Sequence, residues 1–371
     1  MRISHVELRD ISIPLVTPFR TSLGSQDHRD ALLVKVTTTD GTVGWGECAA
    51  DAEPDYSPEY IDGARHVLRS HLIPAVLRET EITAAGVGEL LGWVRGHQMA
   101  KSALEMAILD AELRANGTSL AGAFGARRTV LAVGVSVGIK DSIDDLLDSV
   151  AGYIDDGYAR IKLKIEPGWD YAAIAAVRGT FGDDLPLQVD ANTAYGPSDL
   201  GYLRGLDRFG LTLIEQPFAP DDLATHTRLA ARMDTPICLD ESITSARDAA
   251  TAVRQGACSI VNIKPGRVGG YFEARRIHDL CLASGVPVWC GGMLETGLGR
   301  AANLALAALP GFTLPGDISA SSRYYAHDIT RPFELVDGTI ELPTGPGIGV
   351  EPHPERLEAA TTAVELVEAS I

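Results

Sequence analysis

The chain has little cysteine. Only Cys48, Cys238, Cys258, Cys281 and Cys290 occur in 371 residues, and no two form a CxxC pair. An odd count, mostly in apolar segments, argues against a disulfide-stapled scaffold and a cysteine-held zinc site, and for buried free thiols in a reducing compartment. Long hydrophobic runs are missing too; even 301–309 stops at Pro310, short of a membrane span. The first fourteen residues alternate charged and apolar types and lack the basic patch and apolar stretch of a secretory leader. Basic residues are scarce: 32 Lys+Arg stand against 50 Asp+Glu, a formal net charge of −18. Such a surface repels phosphate backbones and anionic lipid, so no nucleic-acid or membrane partner is expected. We expect a soluble cytoplasmic protein.

What is present is ordinary globular material. Hydrophobic residues make up 45% and charged residues 22%, which argues against disorder. The length fits two or three domains, or one large α/β barrel. Residues 4–13, 31–38 and 42–47 alternate as strands, with a turn at Asp40-Gly41. Residues 60–77 and 99–114 carry apolar positions at helical spacing. The first 127 residues therefore read as an α+β unit.

From residue 128 the texture changes. Short apolar strands are predicted at 130–137, 160–165, 187–190, 211–215, 237–240, 260–264, 286–290 and 312–315, with helices between them, including 143–154, 171–180, 246–255 and 271–283. Eight such strands joined by crossovers imply a closed parallel barrel over 128–321, without a clear eighth helix. The remaining segment, 322–371, reads as a hairpin (332–336 and 339–342) and a final helix from Pro354, packing back on the first unit.

The informative residues stand where successive barrel strands end. Lys164, Asp190, Glu215, Asp240 and Lys264 follow one another at 26, 25, 25 and 24 residues, one βα unit each time. The period predicts equivalent positions on five neighbouring strands, at the face where barrel enzymes carry their chemistry. Three adjacent carboxylates without His or Cys suit Mg²⁺, with Mn²⁺ as the alternative, better than Zn²⁺. Strands two and six lie opposite in a ring of eight, so Lys164 and Lys264 face each other across the mouth. A carboxylate substrate held there presents its α-carbon between two amines, an arrangement for removing an α-proton. A free lysine titrates near ~10.4, so a base working at neutrality must be brought down. Lys162, on the same strand face as Lys164, and Arg267, three residues beyond Lys264, supply like charge for that purpose.

At these residues the chain resembles the enolase superfamily, and within it the branch of o-succinylbenzoate synthases and N-succinyl- or N-acylamino acid racemases. The resemblance is carried by Arg160-Ile161-Lys162-Leu163-Lys164, Val189-Asp190-Ala191-Asn192, Ile214-Glu215-Gln216-Pro217 and Leu239-Asp240-Glu241-Ser242. It extends through Lys264-Pro265-Gly266-Arg267-Val268-Gly269-Gly270, Gly291-Gly292-Met293-Leu294-Glu295-Thr296-Gly297 and Gly44-Trp45-Gly46-Glu47-Cys48. It implies a (β/α)7β modified TIM barrel with an α+β capping domain completed by the C-terminal tail. It further implies Mg²⁺ on Asp190, Glu215 and Asp240, and Lys164 and Lys264 as the acid/base pair. Lys162, Asn192, Glu241 and Arg267 would support them. In that family the loops corresponding to 15–25 and 49–60 cap the mouth; Phe19, Tyr56, Gly292 and Met293 become candidates to shape the acyl pocket. The reaction implied is dehydration to o-succinylbenzoate in menaquinone biosynthesis, racemisation of N-acylamino acids, or both. A small carboxylate is the expected partner, and a homo-oligomer the expected assembly. The rival readings are a dipeptide epimerase or muconate-type cycloisomerase, a metal-dependent hydrolase, for which His97, His226, His278 and His327 lie off the strand ends, and a non-catalytic acidic binding scaffold.

Overall fold

Residues 3–13 alternate because one face of a strand is buried: Val6 and Leu8, then Ile11 and Ile13, all point into the first core. The computed structural model describes residues 1–368. Its antiparallel sheet begins with β1 (Ile3–Arg20), β2 (Ser25–Thr38) and β3 (Val43–Cys48), and the helix Gln98–Ala115 packs across it. That packing is close enough to require glycine at positions 44 and 46, where a Cβ would overlap the helix backbone at Ala107 and Ala103.

The segment 15–25, expected as a loop, is instead a ribbon. β1 continues to Arg20 and β2 starts at Ser25; the ladder breaks after Pro14 and resumes at Phe19↔Gln26. Pro14 and Pro18 carry no N–H, which explains the interruption. The ribbon lies across the barrel strand ends: the Ile139 N–H donates to the Arg20 carbonyl at 2.9 Å and the Ser22 hydroxyl to the Ala191 carbonyl at 3.1 Å.

The strand predicted over 130–137 is split. β4 (Val130–Ala132) leaves the barrel, and β5 (Gly134–Val137) enters it. The parallel sheet then runs through β6 (Arg160–Lys164), β7 (Leu187–Asp190), β8 (Ile214–Glu215), β9 (Ile237–Leu239), β10 (Ile260–Ile263) and β11 (Val288–Cys290), in sequence order. Residues 312–316 complete the ring with two parallel bridges, Val288↔Phe312 and Val133↔Gly316. They form no regular ladder; Pro315 has no N–H to give one. Helices Ile143–Asp155, Tyr171–Phe181, Ala246–Gln255 and Tyr271–Ala283 cover the outside. Among the described residues no helix is long and apolar enough to cross a membrane, and all five cysteines are buried and free.

The tail departs from expectation twice. The turn at Asp337-Gly338, both at positive φ, is closed only by the Val336↔Thr339 bridge. Phe333 is drawn away by backbone bonding to Ser321, and β12 (Thr339–Glu341) pairs with β4 at the barrel entrance, away from the first unit's sheet. The final helix, Pro354–Ala360, is short, and the chain ends as β13 (Thr361–Glu368), antiparallel to β1 at the edge of the first sheet. Two threonines and the alternating Val364 and Leu366 favour a strand there over a longer helix.

A buried carboxylate joins the two parts. Glu47 of β3 accepts from the Thr296 N–H (2.9 Å), the Thr296 hydroxyl (2.7 Å) and the Gly299 N–H (2.9 Å), at the N-terminus of the barrel helix Gly297–Ala307. Donors left free in a helix's first turn are satisfied here from outside the barrel.

Candidate active site

Every residue of β6 is buried. Its apolar members Ile161, Leu163 and Ile165 pack in the core, so Lys162 and Lys164, two apart on one face, are both directed into the barrel. In the sheet Lys164 lies opposite Asp190, and Asp190 opposite Glu215. The expectation of equivalent positions fails at the next step. Glu215 faces Cys238, so Asp240 stands two residues further along its strand, and Lys264 lies beyond the end of β10. The strand stagger of a closed barrel turns a level ring into a rising one.

The three carboxylates are interleaved with cations. Lys162 Nζ lies 2.5 Å from Asp317, 3.1 Å from Asp190 and 3.1 Å from Glu215. Lys164 Nζ donates to Asp190 Oδ2 and Asn192 Oδ1, both at 2.6 Å. Asp240 is paired with the Arg267 guanidinium and lies 2.8 Å from Lys264 Nζ, an ion pair whose angle makes no directed hydrogen bond to Oδ2. Asn192 also donates to Glu241 at 2.9 Å, and Asn262 to Glu215 at 2.7 Å. Like charges crowded on one arc are tolerated because ammonium groups stand between them. As a consequence no three acidic, imidazole or thiol groups among the described residues share one ligation distance.

The donor set still fits a hard divalent cation. Asp190, Glu215 and Asp240 offer carboxylate oxygens only, all at most 1% exposed. Asp240 Oδ2 and Glu241 Oε2 are buried oxygens without a hydrogen-bond donor. Hard oxygen ligands of this kind are what Mg²⁺ and Mn²⁺ take.

The two lysines of β6 diverge in acidity. Burial and the neighbouring Lys162 charge bring Lys164 below the ordinary lysine range, against the pull of Asp190. Burial also opposes charge on Lys162, but Asp317, Glu215 and Asp190 outweigh it and hold Lys162 firmly cationic. Lys264 departs from expectation: burial opposes its charge, yet Tyr56, Glu241 and Glu215 raise it, and Arg267 is occupied with Asp240. Burial and the Asp190 charge push the Glu241 carboxyl up to about 7.

A cavity of about 320 Å³ opens onto this cluster. Lys164, Asn192 and Lys264 line it together with Phe19, Tyr56, Gly292 and Met293. Phe19 meets Tyr324 edge-on at 6.1 Å. Tyr56 is placed differently from a simple acyl-pocket wall, because its hydroxyl accepts from Lys264 at 3.1 Å and donates to Asp240 at 3.2 Å. Asp317 was not anticipated. It is the acid that follows the irregular eighth strand, and the period that located the other acids does not reach it.

The family models match in the same two parts. Residues 4–125 match the N-terminal domain of mandelate racemase and muconate lactonizing enzyme, and residues 145–356 match the enolase C-terminal domain-like family. The chain belongs to the enolase superfamily. An N-succinylamino acid racemase of Amycolatopsis sp is 62% identical over 363 residues, covering 98% of each chain. An o-succinylbenzoate synthase of Geobacillus kaustophilus is 46% identical over 367 residues, 99% of this chain and 98% of that one. A crystal structure of an enolase superfamily member from Listeria innocua superposes with a TM-score of 0.95 at 39% identity, covering 99% of both chains. This superfamily member is accordingly an enzyme of the lyase and isomerase kind. Its curled parallel sheet and separate antiparallel unit are the superfamily architecture that the motifs implied.

Proposed function

We propose that the protein removes a proton α to the carboxylate of a small organic acid, generating an enediolate between Lys164 and Lys264. The observation that carries this reading is that these two lysines, from opposite strands of the ring, line one cavity with Asn192. Asp190, Glu215 and Asp240 would hold Mg²⁺, or Mn²⁺ in its place, and the cation supplies positive charge where the substrate carboxylate becomes more negative. Lys164 is the base, and Asn192 orients its amine. Lys162, held cationic by Asp317, adds charge beneath it; Arg267 fixes Asp240, and Glu241 holds Asn192 in place. The Tyr56 hydroxyl orients Lys264, while Phe19, Gly292 and Met293 form the acyl wall beneath the ribbon.

Two outcomes follow from one enediolate. In a succinyl-hydroxycyclohexadiene-carboxylate, Lys164 takes the α-proton, water leaves, and o-succinylbenzoate forms, while Lys264 stays cationic beside the ring. In an N-succinyl- or N-acylamino acid, the facing lysine returns a proton to the opposite side and inverts the centre. The relatives' names, a racemase at 62% identity and a synthase at 46%, support both chemistries on one site. An L-Ala-D/L-Glu epimerase of Bacillus subtilis stands further off at 30%. We place the enzyme in the cytoplasm as a homo-oligomer. The test is a side-by-side assay, with Mg²⁺, of the cyclohexadiene dehydration and of N-succinyl- and N-acetylamino acid racemisation. Turnover of at least one is expected; no turnover and no α-proton exchange would overturn the reading.

A further inference from the structure

Glu105 lies on the helix Gln98–Ala115 of the first unit, is 3% exposed, and touches none of the site residues described above. Its Oε1 accepts the Tyr271 N–H at 2.5 Å and the Phe272 N–H at 3.2 Å. These are the first two N–H groups of the barrel helix Tyr271–Ala283. The preceding residue, Gly270, has φ 138° and makes no side-chain cap; a Cβ there would overlap the Glu105 carboxylate. The barrel helix thus lacks a capping side chain of its own and takes one from the other unit, as Glu47 provides for the next helix.

The capped end is one short turn from Lys264. The Val268 N–H donates to the Lys264 carbonyl at 3.2 Å and the Gly270 N–H to the Pro265 carbonyl at 3.0 Å, so residues 264–270 form one bonded unit. That unit is pressed against the first domain along its length. A Cβ at Gly266 would overlap Ala49, and one at Gly269 would crowd Gln98. Lys264 therefore sits on a segment whose near end is the barrel strand β10 and whose far end is held by Glu105.

We propose that Glu105 is a positioning residue for Lys264: by capping the helix Tyr271–Ala283 from the first unit, it sets where the Lys264 amine stands against the α-carbon. The proposal rests on the reading of Lys164 and Lys264 as a facing pair. On that reading each lysine deprotonates one enantiomer, so a displaced Lys264 penalises one enantiomer selectively. General loosening of the fold would penalise both.

The test follows α-proton loss from each enantiomer of an N-succinylamino acid in D₂O by ¹H NMR, with the full chain and Mg²⁺. Lys264→Ala identifies the enantiomer that Lys264 serves. Glu105→Leu removes the acceptor, whereas Glu105→Gln keeps the Oε1 carbonyl. For Glu105→Leu, kcat for that enantiomer is expected to fall by about 10–100-fold, since a misplacement of about 1 Å at the reacting atoms can cost about 100-fold. The other enantiomer and both KM values should change little, and Glu105→Gln should restore the rate. If Glu105→Leu does not fold, Glu105→Asp, which keeps the charge but draws the acceptor back by one methylene, is read in the same way. Equal losses for both enantiomers, no loss, or no rescue by glutamine would overturn the positioning role. Absence of exchange in the unaltered protein would instead overturn the lysine-pair reading on which it rests.

Discussion

Lys162 Nζ lies 2.5 Å from Asp317 Oδ2, joining the second strand of the barrel to the irregular segment that closes it. The same carboxylate takes Arg160 at 2.7 Å, so one acid offsets two buried cations. Both cations also stand over the Trp289 ring, at 4.9 Å and 5.3 Å. Lys162 keeps Asp190 and Glu215 at 3.1 Å, but among the described residues Arg160 has no other carboxylate within ion-pair distance. Removing one partner of a buried pair typically costs about 3–5 kcal/mol, because the other charge is left uncompensated. Asp317→Ala should therefore lose stability on that scale in urea unfolding. A loss below about 1 kcal/mol would show that the closing segment is not held by charge.

Lys164→Ala should abolish dehydration and α-proton exchange for its enantiomer while the protein keeps its circular dichroism spectrum and binds Mg²⁺. Asp190 retains Lys162 at 3.1 Å in that variant, so the carboxylate is not left unpaired. Removal of a positioned general base lowers rates by about 10²–10⁴-fold. Turnover within a few-fold of the unaltered protein would remove Lys164 from the mechanism.

Phe19 sits on the ribbon, away from the lysines' bonding partners, and should govern the acyl group more than the fold. Phe19→Ala is expected to change the ratio of kcat/KM for N-succinyl over N-acetyl substrates by about tenfold or more, the scale on which apolar pocket contacts discriminate. An unchanged ratio across acyl groups would exclude it from the pocket.

Much of this was legible in the amino-acid chain, for a definable reason. The spacing from Lys164 to Lys264 reflects one βα unit per step, and a parallel barrel repeats that unit locally, so the order of the site residues could be counted. What counting does not supply is stagger: Asp240 and Lys264 rise along their strands because ring closure shears the sheet, a property of the whole ring. Asp317 follows the eighth predicted strand, which Pro315 keeps from forming a regular ladder, and it stands outside the βα period that located the other acids. Tyr56 turned toward Lys264 only because its loop, 49–60, is placed by contacts distant in sequence. The ribbon at 15–25 reads as a loop in the sequence because Pro14 and Pro18 suppress strand character locally, while pairing on either side restores it.

Stability should carry a pH signature from Glu105. Burial pushes its carboxyl from 4.5 up to about 7, against the Phe272 and Tyr271 N–H groups and Arg276, with Glu273 adding to the rise. The folded chain then holds the proton more tightly than the unfolded chain. The resulting stabilisation is full below pH 4.5 and is lost as pH rises toward about 7. The loss is roughly 3 kcal/mol at 1.36 per pH unit. Glu105→Gln keeps an acceptor without the charge, so urea unfolding should show it gaining on the unaltered protein across that window. Parallel stability curves would contradict this.

The central claim is that Lys164 and Lys264 address opposite faces of one α-carbon, and α-proton exchange in D₂O reads it directly. With Mg²⁺ present, ¹H NMR should show loss of the α-proton signal from both enantiomers of an N-succinylamino acid. Lys164→Ala should stop it for one enantiomer and Lys264→Ala for the other. Exchange that survives both substitutions, or that both abolish without regard to enantiomer, would contradict the facing-lysine arrangement.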